Sequence, residues 1–209
     1  MSEAIANYVG SLKRLGARAA EFLRQGSPSP GEKVRLAFPD LEPPPDLLAL
    51  WRVFDGTEHV EGTTLEQMWL EGAFYFFSEE EAIDDYAAAL PLWANDEGFA
   101  EYWPPKFFPI AKPGDGSRLL VNCIRDSPTK GAVYELFHGV GICKASSSVA
   151  RYFETASGWL DAGAIWLDDA RCLDRDFTVA SAIAARLNPG CDNWDDSLPP
   201  AYKARDWIR

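Results

Sequence analysis

Apolar positions recur along this chain in two rhythms, and the change from one to the other divides it. Ile5, Tyr8, Leu12, Leu15, Ala19 and Phe22 step by three and four, which is the face of one amphipathic helix over 2–25. Ser2 stands at the N-cap position, and Gly26 follows the last apolar residue. Ser27-Pro28-Ser29-Pro30 bars continuation, since each proline pushes its predecessor out of the α region. A short helix is predicted over 32–38. Pro43-Pro44-Pro45-Asp46 opens another, with Leu47, Leu50, Trp51 and Phe54 as its stripe and Gly56 as its stop.

Past an ordered, partly extended loop over 57–72, the apolar residues run together. Residues Ala73 to Phe77 are predicted as a strand, its four consecutive aromatics implying cover on both faces. Ser78 then caps a helix reaching to about residue 90, with Glu79, Glu80 and Glu81 at its positive end. Residues 91–105 read as irregular. Four short runs follow, 107–111, 119–124, 132–137 and 142–145, bounded by Gly, Pro, Asp and Ser. The links between them are too short for a crossover helix, so these strands run antiparallel. Ser146 or Ser147 caps a helix with Val149, Tyr152, Phe153, Ala156 and Leu160 on one side. The character changes after Gly163. One more helix is expected over 174–187, with Phe177, Ala180, Ile183 and Leu187 inward, and Asn188-Pro189-Gly190 ends it. Trp194, Tyr202 and Trp207 mark a tail expected to dock on the domain.

The pattern predicts an α+β fold: a mostly antiparallel sheet of about four to six strands backed by helices. It divides into an N-terminal helix and linker (1–30), the main domain (31–163), and a C-terminal helix with docked tail (164–209). With 47% hydrophobic residues the chain has material for a core without disulfides or metals. Cys123, Cys143, Cys172 and Cys191 are scattered with no CxxC pair, which predicts buried or half-buried thiols in a reducing compartment. No apolar run approaches the roughly 20 residues of a membrane span. No basic and apolar leader precedes the first helix, so a cytoplasmic, soluble protein is expected.

Charge changes this picture through its placement. Net charge is −12, and from Val53 to Pro105 there is no Lys or Arg. That window holds Asp55, Glu58, Glu61, Glu66, Glu71, Glu79, Glu80, Glu81, Asp84, Asp85, Asp96, Glu97 and Glu101. Such a field repels nucleic acid and anionic membranes and attracts a basic partner. The blander account is a solvated face.

Candidate chemistry is scarce. His59 and His138 are poor material for a zinc site, which needs three or four ligands. Gly139-Val140-Gly141 lacks the third glycine of a dinucleotide loop. The Asp192 to Asp196 stretch lacks the central glycine and terminal glutamate of a calcium loop. No nucleophile elbow, metalloprotease or phosphate-loop motif occurs, and nothing selects one carboxylate pair for acid and base work. Neither a catalytic residue nor a cofactor or metal site is expected.

The order of parts carries a resemblance. PPPDLLALWRVFDG is similar to an "LP…L…NG" signature, with Asp55-Gly56 in place of the usual Asn-Gly. After it come a strand running into SEEEA, a W-P-x-x-F-x-P-I-A segment from Trp103, and a G-D-G turn. An L-L-V-N strand, a glycine, V-Y, and the serine-rich Ala145-Ser146-Ser147-Ser148 complete the series. Over about Glu32 to Gly163 the chain resembles the SUKH superfamily, which joins Syd-like proteins with cell-wall assembly regulators of the Smi/Knr type. The resemblance implies an antiparallel sheet backed by helices and no shared catalytic residues. Many bacterial members are immunity proteins that bind and neutralise a toxin, often a nuclease; others are adaptors or regulators. On that footing the expected partner is a basic protein toxin such as a nuclease, and the alternative is a host protein bound by a non-catalytic adaptor. The candidate contact residues are Glu79, Glu80, Glu81, Asp84 and Asp85 on the helix, and Asp96, Glu97 and Glu101 in the loop. Trp93 and Trp103 would be apolar anchors unless they serve the core. A monomer is expected, and the aromatic tail leaves a dimer open.

Overall fold

The computed structural model describes residues 2–194. Its centre is a five-stranded sheet ordered β3-β4-β5-β6-β7, every neighbouring pair antiparallel. The strands are β3 (Tyr75–Phe76), β4 (Phe107–Lys112), β5 (Arg118–Asn122), β6 (Val133–Phe137) and β7 (Gly141–Ser146). Each hairpin falls where turn residues interrupt the apolar runs. Seven α-helices surround the sheet among the described residues, so the fold is α+β as the pattern predicts.

Helix α1 (Ser2–Leu15) buries Ile5, Tyr8 and Leu12 but stops ten residues short of its predicted end. Gly16 turns the chain in the left-handed region, and Leu15 is left 54% exposed. A 3-10 turn, Arg18–Phe22, then buries Ala19 and Phe22. Next, β1 (Leu23–Gln25) pairs antiparallel with β2 (Phe54–Thr57). Helical spacing therefore continues through a segment that tertiary pairing takes into a strand.

Helices α2 (Glu32–Ala37) and α3 (Pro45–Val53) occur as expected, but Phe54 and Gly56 belong to β2. Gly56 is not a helix stop. Its φ is 79°, and a Cβ there would lie 2.1 Å from the Ser78 backbone nitrogen. Helix α4 (Glu79–Asn95) runs through Pro91 and past the predicted end near residue 90. Proline at that exposed position deprives one helical carbonyl of its donor without burying it. Instead of irregular chain, α5 (Glu97–Tyr102) follows. Helix α6 (Val149–Asp161) is capped by Ser148 rather than by Ser146 or Ser147: the Ser148 Oγ accepts from the Arg151 N–H at 3.1 Å.

The region after Gly163 holds a hairpin that the pattern does not announce, β8 (Ile165–Leu167) with β9 (Leu173–Arg175). Helix α7 (Phe177–Leu187) buries Ala180 and Ala184. Phe177, expected inward, is 60% exposed, because it opens the helix at the rim and its ring lies under the Arg175 guanidinium. Trp194 docks: it donates to the Ala145 carbonyl at 2.7 Å and its ring meets Trp159 edge-on. Tyr202 and Trp207 lie outside the described residues.

One apolar core joins these parts. Phe153 of α6 packs on Phe76 of the sheet at 5.4 Å and on Tyr8 of α1 at 5.6 Å. Trp51 of α3 stands edge-on to Phe108 of β4. All four cysteines are buried, and no described helix is long and apolar enough to cross a membrane.

Candidate protein-binding surface

Helix α4 carries most of the candidate carboxylates, and its start is built from a local capping box and one sequence-distant acceptor. Ser78 and Glu81 form a capping box. The Ser78 Oγ accepts from the Glu81 N–H at 3.2 Å, and the Glu81 Oε2 accepts from the Ser78 N–H at 2.8 Å. Asp55 of β2 accepts the Glu79 N–H at 2.8 Å. These bonds use up N–H groups that the first helical turn leaves without intrahelical partners.

The carboxylates then divide by what they touch. Glu79 is buried and faces away from solvent. Its oxygens accept the Gly31 N–H at 3.1 Å and the Val34 N–H at 2.9 Å, so it caps α2 from another element. Asp85 is mostly covered and holds Arg118 of β5 through two bonds, at 2.7 and 3.0 Å. Glu81 sits near Arg24 at 3.4 Å in addition to its cap. Glu80 is open, with 74% of its side chain exposed and a pairing to Lys33 at 3.2 Å. Asp84 is exposed. The window without bases in sequence is therefore not without them in space: Arg24, Lys33, Lys112 and Arg118 reach it from β1, α2, β4 and β5.

Trp103 is core: it is buried and donates to the Phe107 carbonyl at 2.8 Å. Trp93 is half-buried, donates to the Trp103 carbonyl, and stacks against Tyr86. Neither projects as a free anchor. Asp96 caps α5 by accepting the Gly98 N–H at 2.9 Å, and Glu101 is exposed on the same short helix. Glu97 heads that helix, but its side chain lies outside what is described. A rise of about 1.5 Å per residue puts Asp96 about 18 Å along α4 from Asp84. The two groups of acids form two patches, not one.

What the fold does assemble is a groove of ≈ 330 Å³ beside the first half of α4. Glu81, Asp84 and Asp85 form one wall, and Tyr75 and Phe77 of the β3 segment the other. The Lys112 ammonium lies over both rings, 5.8 Å from Tyr75 and 5.0 Å from Phe77. His59 stands edge-on to Tyr75 at 5.0 Å. Burial, reinforced by Glu81, pushes the Tyr75 phenol up to about 12, so it keeps its proton at neutral pH. The groove thus already holds one ammonium against two rings beside carboxylates. Chemically it suits cationic side chains.

Tyr75, Phe77, Lys112 and His59 are absent from the candidates that sequence suggests. Four aromatics in a row read as core, and Lys112 lies beyond the acidic window. The signal that could point to them is the edge position of β3, which gives its side chains one sheet neighbour instead of two. Among the described residues no group of three or more His, Cys, Asp and Glu could hold a metal ion. No protein-family model matches this chain, and no curated protein matches it either.

Proposed function

We propose that this protein is a non-catalytic binder that neutralises a basic protein toxin, such as a nuclease, through the acidic groove beside α4. The observation that supports this reading most is the groove itself: carboxylates on one wall, aromatic rings on the other, and Lys112 seated between them. A nuclease must be basic where it holds phosphates, so a carboxylate-bearing surface competes for that site and is steered to it. The same charge disfavours nucleic acid and anionic membranes as partners. A cytoplasmic setting is part of this proposal, and the resemblance to the SUKH superfamily supports it. In this reading Glu80 and Asp84 make the contacts with Glu101 and Asp96 as a second patch, while Glu79, Asp85 and Trp103 hold the surface in place.

The test is capture from a lysate of the source organism, using the tagged protein and its Glu80→Lys/Asp84→Lys variant, at low and high salt. The expected result is one basic protein retained by the unaltered chain at low salt, released at high salt, and absent on the variant. Retention by both baits alike would remove the groove from the account. A neutral host protein held at both salts would favour the regulatory adaptor.

A further inference from the structure

A second cavity, ≈ 320 Å³, opens on another part of the molecule, where the β4–β5 turn, β6 and the start of α7 meet the chain before β3. Its rings are Trp69, Phe74, Phe137 and Phe177, and its carboxylates are Asp115, Glu135 and Asp174. Asp115, Asp174 and Phe177 are exposed at the mouth, while Glu135 and Arg175 lie deeper.

Glu135 is out of place for a sheet. The residues paired across the strands at its level run Phe76, Ala111, Leu119, Glu135, Cys143, so a carboxylate interrupts an apolar row. Among the described residues its hydrogen bond comes from the Asn193 amide at 2.9 Å, a neutral donor. The guanidinium in the lining acts on it only through space, its hydrogen bond going to another carboxylate. Arg175 donates to the buried Glu71 at 2.7 Å and is stacked between Trp159 and Phe177, 4.9 and 4.5 Å from their ring centroids. Three carboxylates therefore face a cavity whose cation is already committed. Carboxylates beside ring faces fit a flat, delocalised cation better than they fit a compact ammonium.

A compact ammonium or an inorganic cation supplies charge without a face for the rings, whereas an arginine side chain supplies both. Anionic ligands such as nucleotides meet three carboxylates and are repelled.

We propose that this cavity is a binding site for an arginine side chain of a peptide or protein partner, the guanidinium against Glu135 and the rings. The site is separate from the α4 groove and stands whether or not that groove binds a toxin.

The experiment is calorimetric titration of the full chain with N-acetyl-argininamide at pH 8 and pH 6. Saturable one-to-one binding is expected, weakened about tenfold in Glu135→Gln and in Phe177→Ala. Phe177 is exposed, so its truncation leaves the core intact. Binding should be weaker at pH 6, where Glu135, pushed up to about 7 by burial, carries its proton more of the time. N-acetylglutamate should not bind. No saturable binding, equal affinity in both variants, or equal affinity for N-acetyl-phenylalaninamide would overturn the proposal.

Discussion

At the scale of single residues, neighbouring carboxylates have opposite duties. Glu79 accepts two backbone N–H groups of the α2 start from a buried position, whereas Glu80, one residue on, lies open beside Lys33. Hydrogen bonds to a buried charged group contribute about 1.5–3 kcal/mol each, and exposed ion pairs about 0–1. Glu79→Gln keeps one acceptor but loses the charge, so it should destabilise the fold by about 2 kcal/mol in urea denaturation. Glu80→Gln should stay within about 0.5 kcal/mol of the unaltered protein. Equal losses in the two variants would contradict these assignments.

Glu135 gives a pH signature of opposite sign to the usual carboxylate. Burial raises it from 4.5 to about 7; Asn193 and Arg175 oppose the shift, and Glu71 and Asp115 add to it. The folded state then holds this proton more tightly than the unfolded chain. Its contribution is fully favourable below pH 4.5 and is lost as pH rises through 7. Stability of Glu135→Gln, measured against the unaltered protein from pH 4.5 to 7.5, should shift in the variant's favour as pH rises. A difference that does not change with pH would contradict the raised value.

At the scale of elements, β2 and the start of α4 approach too closely for any side chain at Gly56. A Cβ there meets the Ser78 nitrogen at 2.1 Å and requires a left-handed φ of 79° as well. Gly62 shares the left-handed φ, at 84°, but has nothing within 4 Å of a Cβ. Gly62→Ala should therefore cost about 1 kcal/mol, the conformational part alone. Gly56→Ala should cost about 3 kcal/mol or more, since strand and helix must separate. Similar midpoint shifts for both in thermal denaturation would show that the close approach carries no weight.

Elements also show what was legible in the sequence. Strands β4 to β7 are bounded by Pro113 to Gly116, Asp126 to Gly131 and Gly139 to Gly141, so local chemistry marks their ends. Strands β1, β8 and β9 have three residues each, too few for an alternation to show, and their pairing is decided by distant chain. The helix predicted to 25 fails for the same reason, because β2 takes residues 23–25 as its partner. The acidic surface was legible in composition but not in geometry. Nothing local at Glu79 announces bonds to residues 45 and 48 positions away, and nothing at Asp85 announces Arg118. The groove's ring wall was hidden in a segment that reads as core throughout.

At the scale of the whole molecule, net charge of −12 coexists with internal pairing that spends much of the acidic window on folding. The field that remains outward comes from Glu80 and Asp84 next to the groove, Asp96 and Glu101 at the far end of α4, and Glu58, Glu61 and Glu66 before β3. Association steered by such a field should slow as salt rises, with affinity lost mainly through the on-rate. Stopped-flow mixing with the captured partner should show this fall in the unaltered protein and a shallower one in Glu80→Lys/Asp84→Lys. A salt-independent on-rate would mean that charge does not guide the encounter.

The central claim is neutralisation, and growth rescue tests it most directly. The captured partner would be expressed in a susceptible host, together with either the unaltered protein or its Glu80→Lys/Asp84→Lys variant. Matched circular dichroism and melting temperature would establish that the variant is folded. The account predicts that the unaltered protein restores growth and the folded variant does not. Equal rescue by both, or a bound partner that remains toxic, would contradict it.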